Sequence, residues 1–427
     1  MRLLYRAAIH AAMLFLLSCA GGPPRPNVIL IIVDTLRADH LGCYGYRRNT
    51  SPSIDSLAQA GTRWSSVTAQ ANWTLPATAS IFTGLTVRSH GVMMTSTGAT
   101  YGFDPETPTI ATILESHGYS TGGFVNVYLL SEHLGFHRGF ESYHSNSMGH
   151  GMAGETVDRF LQWRRSDDSS APFLAVIHLY DVHDPYDPPR QFDTLYTENG
   201  ACGLTNWTRT PGDAAANPEE KPHLMGLYDG EIRWVDSQLS RVFSWLRESG
   251  QADSTLVIVT ADHGEAFLER EGRPGILHRS LYQEVIHVPL IISGPGIEAA
   301  RVDSTPAGQY DILPTVLACL ELERRSDFDG RNLLASDAQA ARAIPTTRLR
   351  ASRAAHTRGH RKVIWFARTD STVMYDLEED PLEREPLAAP ARLEEELMDF
   401  WATPCDWDPV RVSDRELQSA LRDLGYI

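Results

Sequence analysis

Four short runs constrain this chain more than any other feature: Val28–Val33, Phe173–Leu179, Leu256–Val259 and Val288–Ile292. Each is rich in β-branched or bulky apolar side chains and shows no polar alternation. A strand with one wet face alternates, whereas a strand buried on both faces does not. The runs therefore predict central strands of a parallel or mixed sheet, covered above and below. Segments of helical period lie between them. Ser51-Pro52 opens one that contains Ile54, Leu57 and Ala58. Pro108–His117 sets Ile110, Ile113 and Leu114 on one face, with Gly118 as its stop. Val157, Phe160 and Leu161 repeat the spacing, as do Ile232, Val235, Leu239, Val242, Phe243 and Leu246 ahead of Gly250. Strands alternating with helices predict a layered α/β domain.

The chain has 427 residues and is 42% hydrophobic, enough for one large α/β domain with a smaller appendage. Its 38 basic and 54 acidic side chains give a net charge of −16, which argues against a chain-wide attraction to nucleic acid. Five cysteines are too few for a disulfide scaffold. Cys43, Cys202, Cys319 and Cys405 have no readable pairing, and Cys319 falls in an apolar segment that reads as core. The N-terminus carries Arg2 and Arg6, then an apolar stretch from Ala7 to Leu17 too short to span a bilayer. Leu16-Leu17-Ser18-Cys19 is similar to a bacterial lipobox. The expectation is a lipoprotein signal peptide over 1–19, a lipid on Cys19 and a tether over 20–26. Ala20 after the cysteine favours the outer membrane on the periplasmic side; ordinary secretion is the alternative. Residues 196–222 read as a polar insert over a sheet edge. Beyond about residue 340 the texture changes: Arg342–Arg361 is basic and poor in apolar residues, Lys362–Ala367 and Thr372–Leu377 read as two strands, and a final helix ends at Ile427.

The chemistry gathers where strands end. Val28–Val33 runs into Asp34, Phe173–Leu179 into Asp181-Val182-His183, and Leu256–Val259 into Asp262-His263-Gly264-Glu265. Ligands of open α/β sheets sit beyond the carboxyl ends of strands, so three such ends predict one polar site. Asn72-Trp73-Thr74-Leu75-Pro76 precedes a short helix over Ala77–Thr83 with Gly84 past its end. Thr74 then reads either as an ordinary helix cap or as a nucleophile beside exposed amides. A threonine hydroxyl needs a metal or a base to react at neutral pH, and Asp34, Asp262 and His263 are placed to hold a metal.

Those residues carry a resemblance. The chain resembles the sulfatase family, within the alkaline phosphatase superfamily, from about Asn27 to the C-terminus. The matching segments are Asn27–Tyr46, Thr74–Gly84 with His90-Gly91-Val92, Asp181–Pro188, Tyr228–Asp236, Thr260–Glu265, His278–Gly296 and Tyr375–Glu383. The resemblance implies a large mixed sheet sandwiched between helices over 27–340 and a smaller C-terminal α+β subdomain over 341–427. It also implies that Asp34, Asp262 and His263 bind metal, and that Thr74 occupies the nucleophile position. His183 and His278 would contact the transferred group or assist the leaving oxygen. Asn126 falls near a third substrate-facing position, and Arg37 is either a substrate contact or half of a structural pair with Asp39.

The departures from the family pattern shape the expected reaction. Sulfatases carry Cys-x-Pro-x-Arg or Ser-x-Pro-x-Arg, whose first residue becomes formylglycine. Here the core is Thr74-Leu75-Pro76-Ala77-Thr78, and the extra methyl on Cβ blocks that oxidation. Thr78 replaces the arginine, and Thr35 stands where a second acidic ligand is common. The remaining set, Asp34, Thr74, Asp262 and His263, is similar to that of single-metal phosphoethanolamine and glycerol-phosphate transferases. The expectation is one divalent metal, with the imidazole favouring Mn or Zn and Ca as the alternative. Thr74 would attack a phosphate or phosphonate ester, by hydrolysis or transfer. Two other readings stand beside this one: a sulfuric ester hydrolase, and a non-catalytic lipoprotein that binds a sulfated or phosphorylated polymer. His178, inside an apolar run, reads as a satisfied core histidine, and His90 as structural.

Overall fold

The computed structural model describes residues 25–94, 99–145, 152–167, 169–197, 221–270, 278, 280–336, 344–347, 353–367, 369–402 and 409–412. The segment bearing Cys19, the insert except for its ends, Cys202, Cys405 and the expected final helix lie outside the described residues. Cys43 and Cys319 are free and half-buried.

The four apolar runs are the four adjacent strands at the middle of an eight-stranded mixed sheet. Its strands are β1 (Asn27–Val33), β2 (Gly61–Trp64), β3 (Ser120–Val125), β4 (Ser142–Ser145), β5 (Phe173–Leu179), β6 (Thr255–Ala261), β7 (Leu290–Ser293) and β8 (Arg301–Asp303), in the order β8-β2-β7-β6-β1-β5-β3-β4. Strand β1 pairs in parallel with β5 and β6, and β7 is antiparallel to both β6 and β2. The last run pairs two residues later than its apolar pattern begins, because Pro289 has no N–H for a ladder. Val28–Val33 and Leu174–Leu179 are wholly buried, as strands covered on both faces must be. The sequence pattern missed β3. Its Gly122-Gly123 pair has poor strand propensity, yet a Cβ at Gly123 would lie 2.5 Å from the Tyr143 ring.

Helices α1 (Pro52–Gln59), α2 (Thr74–Thr83), α3 (Ile110–Ser116), α4 (Ala153–Ser166), α5 (Lys221–Glu248) and α6 (Ile312–Cys319) flank the sheet. Helices α1 and α4 pack on α5, and α2 packs on α6 and α3. Asp236 of α5 accepts from the Ser53 and Ile54 amides and so caps α1 across the layer. Every residue of α2 is buried. A four-stranded antiparallel sheet follows: β9 (Ile344–Thr347), β10 (Arg353–Arg358), β11 (Arg361–Phe366) and β12 (Ser371–Asp376), with α7 (Ala391–Ala402) against it. The Thr347 amide donates to Gln70 O at 3.0 Å, which ties this sheet to the segment leading into α2. Lys362, wholly buried, pairs with Glu383 at 2.6 Å, and Arg270 bridges Glu284 and the Glu383 carbonyl. The C-terminal sheet thus grips both flanks of the segment that carries His278.

His90 braces α2. Its Nδ1 accepts the Val92 N–H at 3.0 Å, so the proton sits on Nε2, 3.0 Å from Ser80 Oγ. Burial lowers its pKa from 6.5 to about 3. The neutral ring therefore contributes stability that is complete above 6.5 and is lost as pH falls toward 3. Between those limits the expected loss is about 1.4 kcal/mol per pH unit. Urea unfolding of the native protein between pH 6.5 and 5 should show a slope steeper than that of His90→Gln by that amount; equal slopes would contradict this.

Candidate active site

Asp34 follows β1, and its N–H continues the ladder to Leu179 O at 2.9 Å. Asp262 and His263 follow β6. The three side chains are wholly buried, and one ligand atom from each lies within 4.8 Å of the others. Each atom is fixed by what its neighbour atom does. Asp262 Oδ1 accepts from the amides of His263 at 2.8 Å and Thr35 at 3.2 Å, and among the described residues Oδ2 has no partner. His263 Nδ1 lies 2.9 Å from Gly264 O, so that nitrogen carries the proton and Nε2 presents a bare lone pair. Nε2 sits 3.5 Å from Asp262 Oδ2 and 3.7 Å from Asp34 Oδ1, which also has no partner. Three lone-pair atoms thus face one point with no donor between them. Burial and the neighbouring Asp262 raise the Asp34 pKa well above the carboxylate range, and burial lowers that of His263. A cation at that point would fit this donor set of two carboxylate oxygens and one imidazole.

Thr74 is the first residue of α2 rather than the residue that caps it. Trp73 occupies the cap position, and the Thr74 hydroxyl donates to Asp34 Oδ2 at 3.2 Å. The capping alternative is therefore corrected: this hydroxyl is spent on Asp34. Gln309 staples the two halves together, donating to the carbonyls of Ala261 and Asp262 and accepting the Gln70 N–H at 2.9 Å. Asn72 Nδ2 donates to the His278 carbonyl.

His183 and His278 come to the same place. Their rings are 5.2 Å apart, and His278 is 4.6 Å from the His263 ring. His183 Nδ1 lies 2.7 Å from the Asp184 carbonyl and 2.9 Å from the Tyr180 hydroxyl, so Nε2 is the free end. His278 Nδ1 lies 3.8 Å from Glu265 Oε2. Thr74 is 0% exposed, and His183 and His278 are also buried.

Two candidates have their polar groups engaged by other partners. Asn126 donates to Asp181 Oδ2 at 3.2 Å and accepts the Tyr180 N–H at 2.9 Å, so its amide braces the loop that carries His183. Arg37 forms the structural pair: a two-pronged bond to Asp39, with further bonds to Glu265 O and Glu269. Asp181 is likewise engaged, by Ala153 N, Trp234 Nε1 and Asn126. Thr35 has φ +52, a strained value for a β-branched residue. Its N–H goes to Asp262, and its carbonyl accepts the Tyr228 hydroxyl at 2.8 Å. His178 is not the satisfied core histidine expected: among the described residues neither ring nitrogen has a hydrogen-bond partner, and Nε2 is 3.7 Å from Asp34 Oδ2. Its signal in the sequence was a lone imidazole near the carboxyl end of an otherwise apolar strand.

The sulfatase family model matches residues 26–322. The chain belongs to the sulfatase family. It is 27% identical over 361 residues to the uncharacterized sulfatase YidJ of Escherichia coli, covering 73% of this chain and 71% of that one. It is 23% identical over 443 residues to an arylsulfatase of Clostridium perfringens, covering 84% and 89%. Among solved structures it is similar to a protein in complex with its substrate D-glucosamine-2-N,6-O-disulfate, with TM-score 0.71, 20% identity and 94% and 99% of the two chains covered. It is also similar to the phosphonate monoester hydrolase of Agrobacterium radiobacter, with TM-score 0.69, 20% identity and 93% and 96% covered. The fold is that of these neighbours, and the chain is an ester hydrolase of the alkaline phosphatase-like superfamily.

Mn²⁺ or Zn²⁺ added to the metal-free protein should raise its melting temperature. Asp262→Asn should abolish that rise while melting no lower than the native protein without metal, because the variant amide can donate toward His263 Nε2, 3.5 Å from the oxygen it replaces. A metal-induced rise as large in the variant as in the native protein would contradict the assignment.

Proposed function

We propose that this member of the sulfatase family is a one-metal hydrolase or transferase of phosphate or phosphonate esters, with Thr74 as nucleophile. The observation that carries the reading is the Thr74 hydroxyl, placed at the start of a buried helix and bonded to Asp34, whose other oxygen faces Asp262 and His263. Asp34, Asp262 and His263 would hold the metal. When bound, it supplies positive charge that makes the Thr74 hydroxyl more acidic and offsets the charge of the ester. Asp34 Oδ2 accepts the Thr74 hydroxyl hydrogen bond and so aims the oxygen. First-turn amides of α2 favour the anionic group next to Thr74. Thr74 Oγ attacks phosphorus as its proton leaves by way of Asp34 Oδ2 to solvent, the ester P–O bond breaks, and the leaving oxygen takes a proton from the imidazolium form of His278 or His183. The product is a phospho- or phosphono-threonine. Water, or an acceptor alcohol, then attacks phosphorus and gives its proton to that histidine, the P–Oγ bond to Thr74 breaks, and Oγ takes up a proton from solvent to restore the hydroxyl.

Family membership supports a second reading, a sulfuric ester hydrolase. The threonine favours phosphorus, because a sulfated threonine lacks the aldehyde's elimination route. The N-terminal lipobox supports a lipid-anchored enzyme on the periplasmic side of a bacterial membrane, attached through Cys19.

The test is turnover by the metal-loaded mature protein of nitrophenyl phosphate, phosphonate and phosphodiester esters beside nitrophenyl sulfate. The phosphorus esters should turn over, and Thr74→Ala should lose at least about a thousandfold in kcat. Preferential turnover of the sulfate ester would replace this reading with the second.

A further inference from the structure

We infer that His178 is a positioning residue for the Asp34 carboxylate, donating from Nε2 to Oδ2 and so keeping Oδ1 turned toward the metal-binding point. The inference rests on the one-metal reading of the site. Strand β5 is otherwise Phe, Leu, Ala, Val, Ile and Leu, and His178 sits in register between Ile32 of β1 and Val125 of β3. It is 0% exposed, and among the described residues neither ring nitrogen has a hydrogen-bond partner. A buried imidazole with two unmatched nitrogens is costly, and leucine or methionine would fill the same space without that cost. The ring is therefore not explained as packing.

Its Nε2 lies 3.7 Å from the Asp34 oxygen that does not face the metal point, and Asp262, His263 and His183 also act on the ring. The two Asp34 oxygens divide their work. Oδ1 lies toward His263 Nε2, whereas Oδ2 accepts the Thr74 hydroxyl and lies 3.7 Å from His178 Nε2. That separation is longer than a hydrogen bond, and a small rotation of the carboxylate closes it. His178 is not part of the convergent ligand set, which contains Asp34, Asp262 and His263. It acts through Asp34 and touches neither ester nor leaving group. The arrangement has a purpose in the proposed reaction. When Thr74 gives up its proton, Oδ2 loses a donor, and the His178 N–H remains to hold the carboxylate in place. Residues that orient a metal ligand in this way are typically worth 10–100-fold in metal affinity.

The direct measurement is the tautomer of His178, read by ¹⁵N NMR of the ring nitrogens in the native protein, with and without Zn²⁺. The Nε2-protonated form is expected. Zn²⁺ affinity is then compared among native protein, His178→Leu and His178→Gln. The leucine variant should bind Zn²⁺ about 10–100-fold more weakly while its metal-free form melts no lower than the native protein. The glutamine variant, which keeps an N–H donor, should recover part of the loss. If the leucine variant does not fold, the glutamine variant and the tautomer decide. An Nδ1-protonated ring with a bare Nε2 facing Asp34, or native Zn²⁺ affinity in the leucine variant, would overturn the assignment. A native protein that binds neither Zn²⁺ nor Mn²⁺ would instead sink the one-metal reading, and the tautomer of the metal-free protein would still test His178.

Discussion

Asp34 Oδ1, Asp262 Oδ2 and His263 Nε2 face one another across less than 5 Å of protein interior, and burial with the neighbouring Asp262 raises the Asp34 pKa well above the carboxylate range. Such an arrangement is unfavourable alone, since buried lone pairs repel and cannot reach water. It becomes favourable around a cation. Much of the surrounding structure serves to hold the three atoms in that state. Backbone amides occupy the far oxygen of Asp262, a carbonyl fixes the His263 tautomer, and the sheet ladder fixes where Asp34 emerges.

The supports reach well beyond the site. Tyr228, on the long helix α5, accepts the Arg37 N–H and donates to Thr35 O, which holds the strained turn after Asp34. Gln309 links the turn after β6 to the segment before Thr74. The C-terminal sheet contacts that same segment through Thr347 and grips the residues around Arg270 and Glu284. Thr74, the Asp34–Asp262–His263 cluster and the two outer histidines come from separate stretches of chain, and these tertiary bonds set their distances.

The central fold was legible because burial on both faces imposes an unbroken apolar run, and β1, β5, β6 and β7 each have one. The convergence of Asp34, Asp262 and His263 was legible because they sit where those runs stop. The rest lacked that signal. Strand β3 contains paired glycines that make room for Tyr143, and β10 reads Arg-Ala-Ala-His-Thr-Arg, so neither shows strand propensity. Side-chain partners were less legible still. Nothing in the spacing of Asn126 or Arg37 shows that Asp181 and Asp39 occupy them, and nothing around His178 shows that its nitrogens go unmatched beside Asp34. Those facts depend on which residue lies opposite, and the fold alone decides that.

The proposed reaction turns on Thr74 forming a covalent bond to the transferred group. The most direct measurement is acid quenching of the enzyme during steady-state turnover of a phosphonate or phosphate ester, followed by mass spectrometry of the peptide containing residues 72–84. The account predicts one phosphoryl or phosphonyl group on Thr74, chased away on further incubation. Product formation with Thr74 unmodified throughout, or with the group on another residue, would contradict it.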